Sequence, residues 1–332
     1  MSQKRKVAVI GSNSFSGSDF IDLLMEDEKN HIIGLSRSRE KSPLFLPYKR
    51  HKGANFSFHQ MDLNADTQRI IELLDTFEPE YIVNFAAQSE VAPSWEHPEH
   101  WFQTNVVALA KLINALKDRD YLKRYVHISS PEVYGTCEGR ITESAPVNPS
   151  TPYAVSKAAA DLFLFTLFKN FKFPLVMIRS TNVYGAHQQL FKIIPRSIIN
   201  IKSGKTVELH GGGQAVKSYI HIRDISRGEM AAMEKGRPGE IYHLSPDHGI
   251  AVKDVVKIIC DKMGVAFEKA TKMVEERLGQ DAAYVIDSIK ARQEFGWKPR
   301  ITIDDGIDKC IKWINDNWDT IESLPLEYEH KV

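Results

Sequence analysis

Over the first 180 residues, short β-branched runs alternate with longer stretches that carry helical apolar periodicity. Residues 7–10, 31–35, 56–61, 81–85, 125–129 and 175–179 read as strands. Between them, 16–26, 66–77, 99–118 and 152–170 read as helices. This rhythm predicts βαβ crossovers and a mostly parallel sheet with helices on both faces, an α/β fold. Beyond residue 180 the elements shorten, Gly211-Gly212-Gly213 interrupts the pattern, and helices are predicted at 252–263 and 303–317. The expected organisation is therefore a first domain over 1–180 and a smaller lobe over 181–332, with the chain returning to the first domain near 215–245. Pro and Gly are scattered rather than gathered into a linker, so the lobes are expected to pack closely around a cleft.

The helix from Ala158 onward departs from this pattern. Leu162, Phe163, Leu164, Phe165, Leu167 and Phe168 leave it almost no polar face. Such a helix is buried on both sides, by a deep core or by a second subunit.

A chain of 332 residues with 42% apolar and 26% charged residues can bury a sizeable core and is not compositionally disordered. Lys plus Arg and Asp plus Glu both number 43, so no global field draws in nucleic acid or an anionic membrane. An anionic ligand must be held by local groups. Cys137, Cys260 and Cys310 are odd in number and widely spaced, which fits a reducing cytoplasm better than a disulfide framework or thiolate metal site. No run approaches a secretory leader or the ~20 apolar residues of a membrane span.

The first strand enters Gly11-Ser12-Asn13-Ser14-Phe15-Ser16-Gly17, a G-x-x-S-x-x-G turn opening a helix. Gly11 permits the tight turn, and Ser14, Phe15 and Gly17 stand where a backbone approaches a pyrophosphate at a helix N-terminus. At the end of the second strand an NAD site would offer a carboxylate to the ribose 2′-OH. Here stand Ser36, Arg37, Ser38 and Arg39, whose hydroxyls and guanidinium suit a 2′-phosphate and favour NADP, unless they form only a solvated basic loop. Asp62, followed by Leu63, is a candidate for the adenine amino group or a helix N-cap.

Tyr153 and Lys157, in Thr151-Pro152-Tyr153-Ala154-Val155-Ser156-Lys157, fall four apart on one helix face. An ammonium beside a phenol favours phenolate, so Tyr153 is a candidate base toward a sugar hydroxyl. Ser130, just beyond the carboxyl end of a parallel strand, could share that hydrogen bond.

With these residues the chain resembles the extended short-chain dehydrogenase/reductase family, and within it the nucleotide-sugar 4,6-dehydratases. The resemblance spans Gly11 to Gly17, Asn84-Phe85-Ala86-Ala87-Gln88-Ser89, Ser130-Pro131-Glu132-Val133-Tyr134-Gly135, Pro152 to Lys157, Asn182-Val183-Tyr184-Gly185, Lys192 to Pro195 and Arg277 to Asp281. It implies a Rossmann-like doubly wound sheet with a substrate-binding lobe, and a cofactor contacted also by Ala86 and Ala87. It further implies that Tyr153, with Lys157 and Ser130, removes the hexose 4-OH proton during oxidation at C4. Glu132 would then take the C5 proton as water leaves from C6, and hydride would return to C6.

In dTDP-glucose 4,6-dehydratases an aspartate acid precedes this glutamate, whereas this chain has Pro131, as GDP-mannose 4,6-dehydratases likewise lack the aspartate. Glu132 would then serve elimination alone, or be a loop carboxylate. By the same resemblance Gln88, Ser89, Asn182, Lys192, Lys217, Arg277 and Asp281 face the nucleotide diphosphate sugar, and the protein is a homodimer or pair of dimers. A 4-epimerase or a uronate decarboxylase of the same family stays open, as does a nonenzymatic dinucleotide sensor. His97 and His100 flank Pro98, and the sequence indicates no further ligand beside them, so no metal is expected.

Overall fold

The computed structural model describes residues 4–53, 55–136, 140–275 and 285–331. Seven parallel strands form the central sheet: β1 (Arg5–Ile10), β2 (Asn30–Ser36), β3 (Phe56–Gln60), β4 (Tyr81–Asn84), β5 (Arg124–Ile128), β6 (Leu175–Ser180) and β7 (Glu240–Leu244). Their spatial order is β3-β2-β1-β4-β5-β6-β7, and every neighbouring pair is parallel. The chain winds outward from β1 to β3, then returns to the other side of β1 at β4. That reversal opens a crevice at the carboxyl ends of β1 and β4, where α/β sheets place ligands.

Two apolar layers enclose the sheet, as the Rossmann-like doubly wound architecture requires. On one face α1 (Phe15–Leu24) supplies Phe20, Ile21 and Leu24 to a core shared with Val7, Val9, Val126 and Tyr242. On the other, α2 (Thr67–Phe77) meets the helical run 98–116, built of α3 (Pro98–Phe102), a π-helical segment Gln103–Ala108 and α4 (Leu109–Leu116). Beside them lies α5 (Pro152–Phe171), whose Leu164 and Leu167 are buried while Phe163, Phe165 and Phe168 are partly buried. Leu162 remains 57% exposed and Phe171 50% exposed, so the all-apolar helix has one uncovered side.

A third core belongs to the smaller lobe, around α6 (Ile193–Lys202), the helix Val252–Lys262 and the helix Ile303–Asp316. The sequence reading missed α6 and the helix Ile222–Lys235, whose buried Ile222, Ile225, Ala232 and Met233 are thinly spread among charges. Among the described residues no helix is long and apolar enough to cross a membrane.

Candidate active site

The turn after β1 is built by close backbone approach. Gly11 has φ +88°, and a Cβ there would lie 2.7 Å from the Ala86 nitrogen beyond β4. A Cβ at Gly17 would meet the Gly11 carbonyl at 2.4 Å. Both positions therefore exclude side chains. Ser14, in place of a middle glycine, is the α1 N-cap, and its hydroxyl accepts from the Gly17 amide at 3.0 Å. The helix N-terminus is thus aimed at the crevice, the arrangement that binds phosphates.

This crevice is a cavity of about 590 Å³ whose walls include Gly11, Ser14, Ser36, Arg37, Ser38, Asp62, Leu63, Ala86, Ala87, Gln88 and Ser89. Ser36 accepts from the Asn13 amide at 2.9 Å, and the Asn13 side chain donates to the Ser38 and Arg39 carbonyls, which fixes the loop after β2. Asp62 accepts from the Asn64 amide at 2.8 Å, and the α2 N-cap is Asp66 instead. Phe15 is buried at the start of α1 beneath the turn.

Beyond β5, Ser130 caps a short 3₁₀ helix, Pro131–Tyr134, and its hydroxyl accepts from the Glu132 amide at 3.2 Å. Thr151 caps α5 by accepting from the Ala154 amide at 3.1 Å, and Pro152 occupies the first turn. Tyr153 and Lys157 are both buried on this helix. Burial pushes the Tyr153 phenol well above its ordinary pKa, with Glu132 adding to the rise, while a hydrogen bond from Ser130 favours the phenolate. The structure thus brings Ser130, Glu132 and Tyr153 to one place.

Lys157 differs from expectation. Its ammonium donates to the Ile128 carbonyl at 2.8 Å and lies 3.4 Å from His127 Nε2, so Ser130 rather than Lys157 supplies the interaction that lowers the phenol pKa. Burial lowers the Lys157 pKa to about 8, opposed by the Asp161 carboxylate.

Several residues here escaped the sequence reading. Asp161, one turn beyond Lys157, accepts from Arg179 Nη2 and from the Ser129 hydroxyl, each at 2.7 Å. His127 lies 3.8 Å from Asp161 and is held neutral by burial and the two cations. The i, i+4 spacing of Lys157 and Asp161 was a usable signal; so was the charge of Arg179 ending an apolar strand. Asn105 faces inward from the π-helical segment, binds both backbone groups of Gln88 at 2.8 and 3.0 Å, and donates to Ser156 at 2.9 Å. Its position depends on a helical irregularity that periodicity does not reveal.

A second cavity, about 650 Å³, is lined by Asn182, Phe191, Arg196, Lys217 and Tyr219 and adjoins the first at Phe191. The Asn182 side-chain nitrogen, Nδ2, is buried there without a partner among the described residues. Lys192 pairs with Glu90 at 2.7 Å, at the rim of the first cavity. Arg277 and Asp281 lie outside the described residues. His97 and His100 are joined by Glu99, whose ligand atoms lie within 4.8 Å of theirs.

Comparison with known proteins gives the same architecture and a chemistry. The chain is 30% identical to the human dTDP-D-glucose 4,6-dehydratase, covering 96% of this chain and 93% of the relative. The crystal structure of DesIV, a dTDP-glucose 4,6-dehydratase from Streptomyces venezuelae with NAD bound, superposes with a TM-score of 0.87 at 28% identity, covering 95% of this chain and 98% of that one. UDP-glucose 4-epimerase from Thermotoga maritima shares the fold at a TM-score of 0.85 and 22% identity, covering 94% of this chain and 99% of that one. The family model described as GDP-mannose 4,6 dehydratase matches residues 9–310, and the chain belongs to that family.

Proposed function

We propose that the protein is an NADP-dependent nucleotide-sugar 4,6-dehydratase. It converts an NDP-hexose to an NDP-4-keto-6-deoxyhexose by transient oxidation at C4, loss of water across C5 and C6, and reduction at C6. The observation that carries this reading is the meeting of Ser130, Glu132 and Tyr153 just beyond β5, the strand next to β4.

The glycine cradle at Gly11 and Gly17, the α1 N-terminus and the crevice volume fit a nicotinamide dinucleotide. Gly11, Ser14, Phe15, Gly17, Ser36, Arg37, Ser38, Asp62, Leu63, Ala86 and Ala87 would hold it, with Tyr153 and Lys157 at its reactive end. When bound, it supplies the hydride acceptor for C4 and the hydride donor for C6. The related dTDP-glucose 4,6-dehydratases from Streptomyces venezuelae and Bacillus anthracis hold NAD in their crystal structures. The NADP preference rests on Arg37 and on serine where an NAD site has a carboxylate.

Tyr153 takes the 4-OH proton at its phenolate oxygen, oriented by Ser130. Ser130 supplies the hydrogen bond that favours this phenolate, and Lys157, bonded to the Ile128 carbonyl, adds a buried positive charge on the same helix face. Glu132 removes the C5 proton, made acidic by the 4-ketone. Proline carries no acid group, so Glu132 also delivers a proton to the departing C6 hydroxyl. Gln88, Ser89, Asn182, Lys192, Lys217, Arg277 and Asp281 serve the sugar diphosphate and nucleoside.

The reading extends to a homodimer or pair of dimers in a reducing cytoplasm. Val155, Leu162 and Phe171 of α5, with Val107 on the adjacent helical run, are exposed and apolar and form the proposed contact. Mass spectrometry of products from a panel of nucleotide sugars tests the activity. Loss of one water supports it; unchanged mass or loss of carbon dioxide refutes it.

A further inference from the structure

The segment from Leu324 to Lys331 runs along both cavities. Leu324, Leu326 and Glu327 line the one beside Asn182, and Tyr328, Glu329 and Lys331 line the dinucleotide crevice. The segment is tethered along its length. Glu327 pairs with Arg196 at 3.1 Å, and the Tyr328 ring meets Phe191 edge-on at 5.4 Å. His330 Nε2 lies 2.9 Å from His100 Nδ1, and the two ring centres are 5.2 Å apart. Those distances set the imidazoles end to end, as a hydrogen bond within the ring planes requires. The His330 ring also lies parallel to Trp101 at 5.1 Å.

The decisive contact is made by the Lys331 carbonyl. It accepts from Arg37 Nη2 at 2.8 Å and from Gln88 Nε2 at 2.7 Å. Arg37 follows β2 and Gln88 follows β4, on opposite sides of the β1 turn. One carbonyl bonded to both therefore bridges the crevice and occupies donors that a dinucleotide and sugar substrate would use.

Resting on the dinucleotide reading of this crevice, we propose that residues 327–331 form an autoinhibitory strap. It lies across one wall of the crevice with its Lys331 carbonyl on the Arg37 and Gln88 donors, and the dinucleotide must displace it from them. His100 and His330 are the latch; neither lines the crevice, so changing them probes the strap without removing a ligand contact.

The test compares NADP and NAD binding, by calorimetry and stopped flow, in the full chain, in a chain ended at Leu326 and in the full-length variant His330→Ala. A strap shut nine-tenths of the time weakens apparent affinity about tenfold, so truncation should tighten Kd by about that factor. His330→Ala should tighten it about threefold. The association rate of the full chain should level off with rising dinucleotide as strap opening becomes limiting, and that of the truncated chain should stay linear. Unchanged or weaker binding in both altered proteins overturns the strap. Failure of all three proteins to bind either dinucleotide overturns the reading of the crevice instead.

Discussion

Replacing Asp161 by Asn keeps shape and volume but removes the single carboxylate bonded to both Ser129 and Arg179 beneath the site. Asp161, Arg179, Lys157 and His127 are each no more than about 2% exposed. The change leaves the Arg179 and Lys157 cations buried without that anion. Breaking a buried pair on one side costs about 3–5 kcal/mol, because the surviving charge stays desolvated. At ~2.1 cal/mol/K per residue, a chain of 332 residues unfolds with an entropy of about 0.7 kcal/mol/K, so the expected fall in Tm is about 4–7 °C.

The same change should alter activity against pH. Asp161 is the group that raises the Lys157 pKa against burial, which leaves it at about 8. Without the carboxylate, Lys157 loses its proton at lower pH, and the alkaline limb of kcat/KM should move down. The double variant Asp161→Leu with Arg179→Met also removes the Arg179 charge and should recover the part of the lost Tm that comes from that unpaired guanidinium. Differential scanning calorimetry and a pH–rate profile measure the two effects. An Asp161→Asn protein with native Tm and an unmoved alkaline limb would refute the reasoning.

Tyr153→Phe should lower turnover by about 10² or more while nucleotide-sugar binding persists, measured by steady-state kinetics and calorimetry; near-normal turnover would remove Tyr153 from its role. Arg37→Ala should weaken NADP binding by about 1.5 kcal/mol or more and spare NAD; equal losses would show that Arg37 does not read the 2′-phosphate. His221 and His243 are buried with pKa values lowered to about 3, so unfolding allows them to take up protons below about pH 6.5. Their contribution to stability is complete above that pH and is lost toward pH 3, by up to about 1.4 kcal/mol per histidine per pH unit. His243→Gln should therefore flatten the fall of Tm between pH 6.5 and 5, and an unchanged slope would contradict this account.

Much of the fold was legible because one physical pattern wrote it. Strands such as Val7-Ala8-Val9-Ile10 and Leu175-Val176-Met177-Ile178 are covered on both faces and read as continuous apolar runs. Their observed limits lie within about two residues of those predicted. The settings of Tyr153 and Lys157 were legible because an i, i+4 spacing puts them on one helix face, and that of Ser130 because it follows the carboxyl end of a parallel strand. What escaped depends on contacts distant in sequence. Glu90 meets Lys192 across 102 positions, and Lys331 reaches Arg37 across 294. The inward turn of Lys157 toward Ile128 was hidden for a related reason: spacing gives a shared helix face, but not which acceptor an ammonium finds.

The central claim is that elimination across C5 and C6, rather than oxidation at C4 alone, is the work of this site. It is tested most directly by running the reaction in deuterated water with the unmodified protein and with Glu132→Gln, and locating deuterium by NMR and mass spectrometry. The unmodified protein should release a 4-keto-6-deoxy sugar nucleotide carrying one deuterium at C5. Glu132→Gln should accumulate reduced dinucleotide and 4-keto sugar with no exchange at C5. A 6-deoxy product formed by Glu132→Gln at a comparable rate, or a C4 epimer with no deuterium at C5 from the unmodified protein, would contradict the account.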